Sequence, residues 1–206
     1  MPIFQRRSNP PSYASYRAYK PLLREDFKYM CAYCLLHEGQ EQLGGGFQYF
    51  QIDHFRPVKL FPALINVYDN LYYACHWCNR AKSETWPSEQ QQVDQYRFVD
   101  PCAEDLYKEH VRLIPDTGKL EPKSRAGDYT IREIQLNRKI FQHLRRKRVA
   151  AQEEIEQIKI KIARLKRDAA PQVELIDVLQ QRIEDLEERY INPKVPYEKS
   201  DLLVEN

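Results

Sequence analysis

The chain has 206 residues, with 32 Lys and Arg against 30 Asp and Glu and a net charge of +2, so affinity for a polyanion has to come from local patches rather than from the whole surface. Hydrophobic residues make up 42%, enough to bury a core in one domain with an appendage or in two small domains. No apolar run approaches the ~18 residues that span a bilayer, and the opening stretch MPIFQRRSNPPSYASY lacks the apolar run of about 7 to 15 residues found in a secretory signal. These features lead to the expectation of a soluble, cytoplasmic protein with no membrane contact and with reduced cysteines.

Taken in chain order, Tyr13, Tyr16, Tyr19, Leu22 and Leu23 fall at helical intervals and predict an amphipathic helix packed on the core. Interleaved Arg17, Lys20 and Arg24 leave base stacking as a second use for the tyrosines. Cys31 and Cys34 then form CAYC, and Cys75 and Cys78 form CHWC. Two such knuckles supply the four soft thiolates of a tetrahedral structural zinc site. His76 sits inside the second knuckle, but four cysteines already complete the shell, and Cys102 reads as a lone thiol. The 40 residues between the knuckles exceed the about 15 to 20 of a compact zinc ribbon, so an insertion hangs from the zinc.

That insertion carries a loose turn at Gly44, Gly45 and Gly46, then QIDHFRP, in which Asp53 and His54 end a strand stopped by Pro57. Asn70 precedes the apolar run LYYAC, Asn79 directly follows Cys78, and Arg80 and Lys82 come next. The ordered set of C-x-x-C, Asp-His, Asn, C-x-x-C-Asn and Arg-x-Lys resembles the HNH endonuclease superfamily in its zinc-knuckle form, over residues 29–87. The resemblance implies a ββα-metal core in which His54 is the general base that activates water, a role suited to a neutral imidazole near pH 7. It implies that Asp53 and Asn79 hold a catalytic divalent ion, Mg²⁺ or Mn²⁺, through hard oxygen donors. Asn70 would brace the loop between the strands and orient His54. Arg80 and Lys82 fall where family members contact phosphate, with plain surface solvation as the alternative.

Farther along, HVRLI followed by PDTG predicts a short hairpin within 96–123. Thr130 and Glu133 have capping-box spacing, flanked by Tyr129 and Ile134 as a hydrophobic staple, so a helix is expected to open there and run to about residue 168. Ile155, Ile158, Ile162 and Leu165, and again Ile176, Leu179, Ile183, Leu186 and Tyr190, repeat with coiled-coil-like spacing on either side of Pro171. An antiparallel helical hairpin is preferred over one kinked rod. In that geometry Glu184, Asp185, Glu187 and Glu188 face the first helix near 152–158. Arg145, Arg146, Lys147 and Arg148 lie beyond them, free to meet nucleic acid or an acidic partner, or else forming a solvated face or salt bridges to the core.

The expected fold class is α+β: a small ββα-metal core with structural Zn²⁺, flanked by helices and followed by a long C-terminal α-helical hairpin. The expected division is a helical segment at 1–28, the nuclease core at 29–90, an extended connection at 91–128, the hairpin at 129–192 and a tail at 193–206. The expected function is metal-dependent hydrolysis of phosphodiester bonds, in DNA before RNA. CAYC, IDHFRP, CHWCNRAK, FVDPC and TIREIQLNRKIFQHLRRKR also resemble the PtuB-like branch of antiphage defence nucleases, which implies an SMC-like ATPase partner. Self-association through the helical arm is a further expectation. The rival reading is a noncatalytic zinc module, binding nucleic acid or serving as a scaffold, with a helical interaction arm.

Overall fold

The computed structural model describes residues 2–40, 46–167 and 172–193. Near the N-terminus a 3-10 turn, Tyr16–Tyr19, is capped by Ser15, whose hydroxyl accepts from the Arg17 amide, and leads into α1, Lys20–Asp26. This helix is shorter than the tyrosine spacing predicts. Pro21 starts it, because its fixed φ suits the first turn, and Lys28 and Tyr29 end it with φ of 52° and 61°. Arg24 faces inward rather than toward solvent: its guanidinium forms a buried ion pair with Glu38, which also accepts from the Tyr73 hydroxyl.

Strands β1, Phe50–His54, and β2, Leu71–Cys75, pair antiparallel, with Asp53 opposite Tyr72 and His54 opposite Leu71. LYYAC is buried along its whole length, as its unbroken apolar and aromatic composition requires for a strand covered on both faces. Helix α2, His76–Lys82, follows without a loop, with Cys75 both ending β2 and occupying the position before the first helical residue. The first knuckle is stitched to this unit by the Ala32 amide, which donates to the Tyr73 carbonyl at 2.8 Å. A ββα unit with a cysteine cluster at its base therefore forms the centre of an α+β fold. Gly46 lies in the expected turn with φ of 98°; Gly44 and Gly45 fall outside the described residues.

After a short helix α3, Glu89–Val93, with a complete capping box at Ser88 and Gln91, the chain reaches the expected hairpin, β3, Val111–Ile114, and β4, Lys119–Pro122. The following helix starts earlier than the capping-box spacing suggests. Helix α4 spans Arg125–Glu133, with Ser124 as its cap accepting from the Gly127 amide. Gly127 is required there, because a Cβ would lie 2.1 Å from the His110 carbonyl oxygen. Thr130 is instead a buried interior residue whose hydroxyl accepts from the Val99 amide at 2.9 Å. A hydroxyl needed by a neighbouring segment has been taken from the capping role by tertiary packing.

Helix α4 ends at a left-handed turn, with Gln135 at φ 56°, so the helical pattern is interrupted before α5, Lys139–Leu165. Across the break, Asn137 pairs with both the amide and the carbonyl of Leu120, each at 2.8 Å, docking the chain against β4. Helix α6, Val173–Leu186, returns along α5 and continues as a π-turn, Glu187–Ile191. The antiparallel sense follows from Arg182 bonded to Glu154 at 2.8 Å and Arg148 to the Tyr190 carbonyl at 3.2 Å. An ion pair crossing the hairpin joins Arg182 on α6 to Glu154 on α5, while Glu184 and Asp185 are exposed. Pro171 lies outside the described residues.

Among the described residues two apolar clusters result. One runs from Phe4 and Leu23 through the ββα unit to Tyr129, Ile134, Leu136, Phe141 and Leu144. The other joins Ala151, Ile155, Ile158 and Ile162 to Ile176 and Leu186. The root of the arm therefore belongs to the central core, and the expected boundary at 128/129 falls inside α4.

Candidate active site

The four knuckle cysteines come together. All are buried, their sulfurs lie within 4.8 Å of one another, and Cys34 and Cys75 are 3.7 Å apart. A tetrahedron with Zn–S bonds of about 2.3 Å has edges of about 3.8 Å, so the set fits a zinc ion. Burial works against charged sulfur, but contacts from Cys34, Cys75 and Cys78 hold the Cys31 thiol well below its usual range, while burial pushes Cys34 and Cys78 well above it. A divalent cation removes that conflict, because it is the partner that lets all four ionise together. His76 stands outside the sulfur set and packs edge-on to Trp77.

Two cations already lie close to this cluster. Arg145 lies within electrostatic reach of Cys34 and Cys78, and Arg148 of Cys34. Burial lowers the pKa of both guanidinium groups, and Tyr107 and the thiols oppose that shift. Arg145 is 5% exposed and donates to the carbonyls of Gly118 and Leu136, while its Nη1 is buried with no hydrogen-bond partner. Arg148 donates to Leu35 and Tyr190 carbonyls and to Gln40. These two residues are consequently not free to meet nucleic acid, contrary to the expectation from the run LRRKR. A helix turns 100° per residue, so Arg145 and Arg148, three apart, share the inward face, while Arg146 and Lys147 are exposed.

At the other end of β1, His54 is half-buried at the edge of the sheet. Its Nε2 lies 3.0 Å from the Ile65 carbonyl oxygen. A carbonyl can only accept, so Nε2 carries the proton and the lone pair of the neutral ring is on Nδ1. Tyr16 packs edge-on against the imidazole, 4.8 Å between centroids, and is itself tied to this loop through its amide, which donates to Asn66. Asn70, 5% exposed, accepts from the Arg56 amide and donates to the carbonyls of Arg56 and Leu64. It thereby fixes the loop whose next carbonyl, that of Ile65, holds His54.

Asp53 points inward. Its Oδ2 accepts from the Tyr33 hydroxyl at 2.5 Å and its Oδ1 faces Lys82 Nζ at 3.1 Å. Burial, then the neighbouring carboxylate, keeps the Tyr33 phenol protonated. Lys82 also donates to the His54 carbonyl at 2.6 Å and is fully buried. Lys82 is thus not a phosphate-contacting surface group: three residues past Asn79 it lies on the face of α2 that packs on β1, whereas Arg80 is exposed. Asn79 uses its Nδ2 to donate to Gln51 at 2.7 Å. A carboxylate group offers about four lone-pair sites, of which the contacts from Tyr33 and Lys82 use two at Asp53, and the Asn79 amide oxygen is likewise a hard donor by type.

Several groups at the site carry no signal in the sequence that points to it. Tyr33 lies between the knuckle cysteines, where the C-x-x-C pattern gives the intervening residues no role. The Ile65 carbonyl is a backbone group and leaves no trace in residue type. Tyr16 carries a helical spacing and a base-stacking alternative in the sequence, neither of which places it against His54. Among curated proteins and solved structures, none matches the chain. Residues 31–85, which hold the four cysteines, Asp53, His54, Asn70 and Asn79, match the family model described as HNH endonuclease, and this part of the chain is an HNH domain.

Proposed function

We propose that the protein is a metal-dependent endonuclease that hydrolyses phosphodiester bonds of nucleic acid, in DNA before RNA. The observation that carries this reading is His54, whose Nε2–H is committed to the Ile65 carbonyl within a segment that matches the HNH family model. Nδ1 then takes a proton from water as that water attacks phosphorus. Asn70 acts on the reaction by fixing the loop that orients the ring. Tyr16 limits rotation of the imidazole, and Tyr33 and Lys82 fix the position of the Asp53 side chain in a buried setting. Asp53 and Asn79 are the residues that would hold Mg²⁺ or Mn²⁺, which when bound supplies Lewis-acid polarisation of the phosphate and charge stabilisation at the leaving oxygen.

The test is cleavage of plasmid and of RNA by purified protein with Mg²⁺ or Mn²⁺, beside His54→Ala. Loss of a general base lowers the rate by about 10² to 10⁴, so the variant is expected to be inactive over the same time course. Equal cleavage by both proteins would reject His54 as the base. The buried Asp53–Lys82 pair favours a second reading, a zinc-stabilised nucleic-acid or scaffold module without catalysis, for which His54→Ala leaves nucleic-acid binding intact and no metal supports cleavage by either protein. The resemblance to PtuB-like proteins supports a place in an antiphage complex with an SMC-like ATPase, tested by whether a stoichiometric ATPase co-purifies from the native host. Exposed Val173 and Val178 on α6 support self-association through the arm, measured by sedimentation.

A further inference from the structure

Away from the HNH core, a groove of about 510 Å³ opens between the β3–β4 turn and the first two turns of α5, lined by Asp116, Thr117, Lys119, Lys139, His143 and Arg146, with Gln142 at its base. Lys139, Gln142, His143 and Arg146 have the i, i+3, i+4, i+7 spacing of one helix face. The base is rigid. Gly118 has φ of 67° and sits so close to α5 that a Cβ there would lie 2.1 Å from the Gln142 carbonyl oxygen. Arg145 Nε donates to the Gly118 carbonyl, and Asn137 pins Leu120 on both sides of its peptide unit. Buried Arg145 thus builds the groove into which its neighbour Arg146 projects.

The walls carry Lys119, Lys139 and Arg146 against the single carboxylate of Asp116. Among the described residues no hydrogen bond or ion pair occupies the three cationic side chains. The groove is also connected to the HNH helix. Arg138, at the start of α5, donates to the Trp77 carbonyl at 2.8 Å and lies over its indole. Trp77 is 42% exposed and lies one turn before exposed Arg80 on α2. An exposed indole flanked by guanidinium groups is a stacking platform for a base, and the cations beyond it match a run of phosphates.

We propose that the groove binds the phosphodiester backbone of the substrate strand outside the catalytic centre, with Trp77 and Arg80 forming the path between the two. The direction of that path rests on the nuclease reading; the binding itself does not. Binding is measured with the full chain carrying His54→Ala, so that strands stay intact, using labelled single- and double-stranded DNA and RNA across a salt series. Replacing Lys119, Lys139 and Arg146 together by Gln is expected to reduce the slope of log affinity against log salt by about 2 to 3, and Arg146→Gln alone by about 1. The control replaces exposed Lys159, Lys161 and Arg164 by Gln, removing equal charge elsewhere on α5, and leaves the slope unchanged.

Matching unfolding midpoints separate lost contacts from lost folding, and the single Arg146 variant serves if the triple variant is unstable. The proposal is overturned by an unchanged slope in the groove variants, by an equal drop in the control, or by a parent protein that binds no nucleic acid. Cleavage by the wild-type chain with an unchanged slope rejects the groove alone. A reduced slope in a chain that never cleaves rejects the nuclease reading and leaves the groove standing.

Discussion

Asp53 and Lys82 show how strongly a single side chain's role depends on what closes over it. Both look like exposed working residues in the sequence, yet they form a pair with side chains 3% and 0% exposed. Two buried charges are tolerated because each compensates the other, and removing one partner strands the other at a cost of about 3 to 5 kcal/mol. Lys82→Met is therefore expected to lower stability by that order in urea unfolding, whereas Arg80→Met changes it by about 0.5 kcal/mol or less. A near-neutral Lys82→Met would contradict the buried pair. His37 gives a pH signature at the same scale. Burial, then Arg148 and Arg24, lowers its pKa from the usual 6.5 to about 4. The folded state then binds fewer protons than the unfolded one in that interval, so stability is complete above about pH 6.5 and declines as pH falls toward 4. His37→Gln should flatten that part of the unfolding profile.

Among the elements, α5 has two roles. Its first turns pack into the central core through Phe141, Leu144 and Arg145, and its later turns form the hairpin with α6. Arg148 joins these roles, since it bonds the knuckle loop at Leu35 and Gln40 and the returning π-turn at Tyr190. Each buried hydrogen bond contributes about 1 kcal/mol, and orphaned partners add more. Arg148→Met is expected to lose about 2 to 4 kcal/mol and to speed amide exchange in 187–191, while β1 and β2 exchange as before. Uniform acceleration across the chain would show that the arm and the core unfold as one unit instead.

For the molecule as a whole, the cysteine cluster is the joint between segments far apart in the chain. It links the knuckle after α1 to the end of β2 and the start of α2, with the arm's two arginines against it. Structural zinc contributes on the order of 10 kcal/mol of apparent folding energy, much of a domain's margin. Chelation is expected to release about one zinc per chain and to abolish cooperative unfolding of the HNH region, read by near-UV circular dichroism. Cys31→Ser should do the same without chelator. Retained tertiary signal after zinc release would assign the stability to the aromatic core around Tyr33, Tyr72 and Tyr73 alone.

Much of this architecture was legible because its signals are local. C-x-x-C spacing draws two sulfurs together within one turn, LYYAC can only be a buried strand in this setting, and PDTG between alternating runs makes a hairpin. The isoleucine and leucine repeats specify two helices with apolar stripes. What the sequence could not settle was the direction of individual polar side chains, since that depends on partners distant in the chain. Thr130 left its capping role for the Val99 amide, Lys82 turned to Asp53, and Arg145 and Arg148 turned to carbonyls and thiols, leaving Arg146 and Lys147 outside. Sequence by itself determined most of the elements and the grouping of the four cysteines, through periodicity and spacing. Only the tertiary structure decided which charges are buried, because desolvation is tolerated only where a distant segment supplies the compensating charge or hydrogen bond.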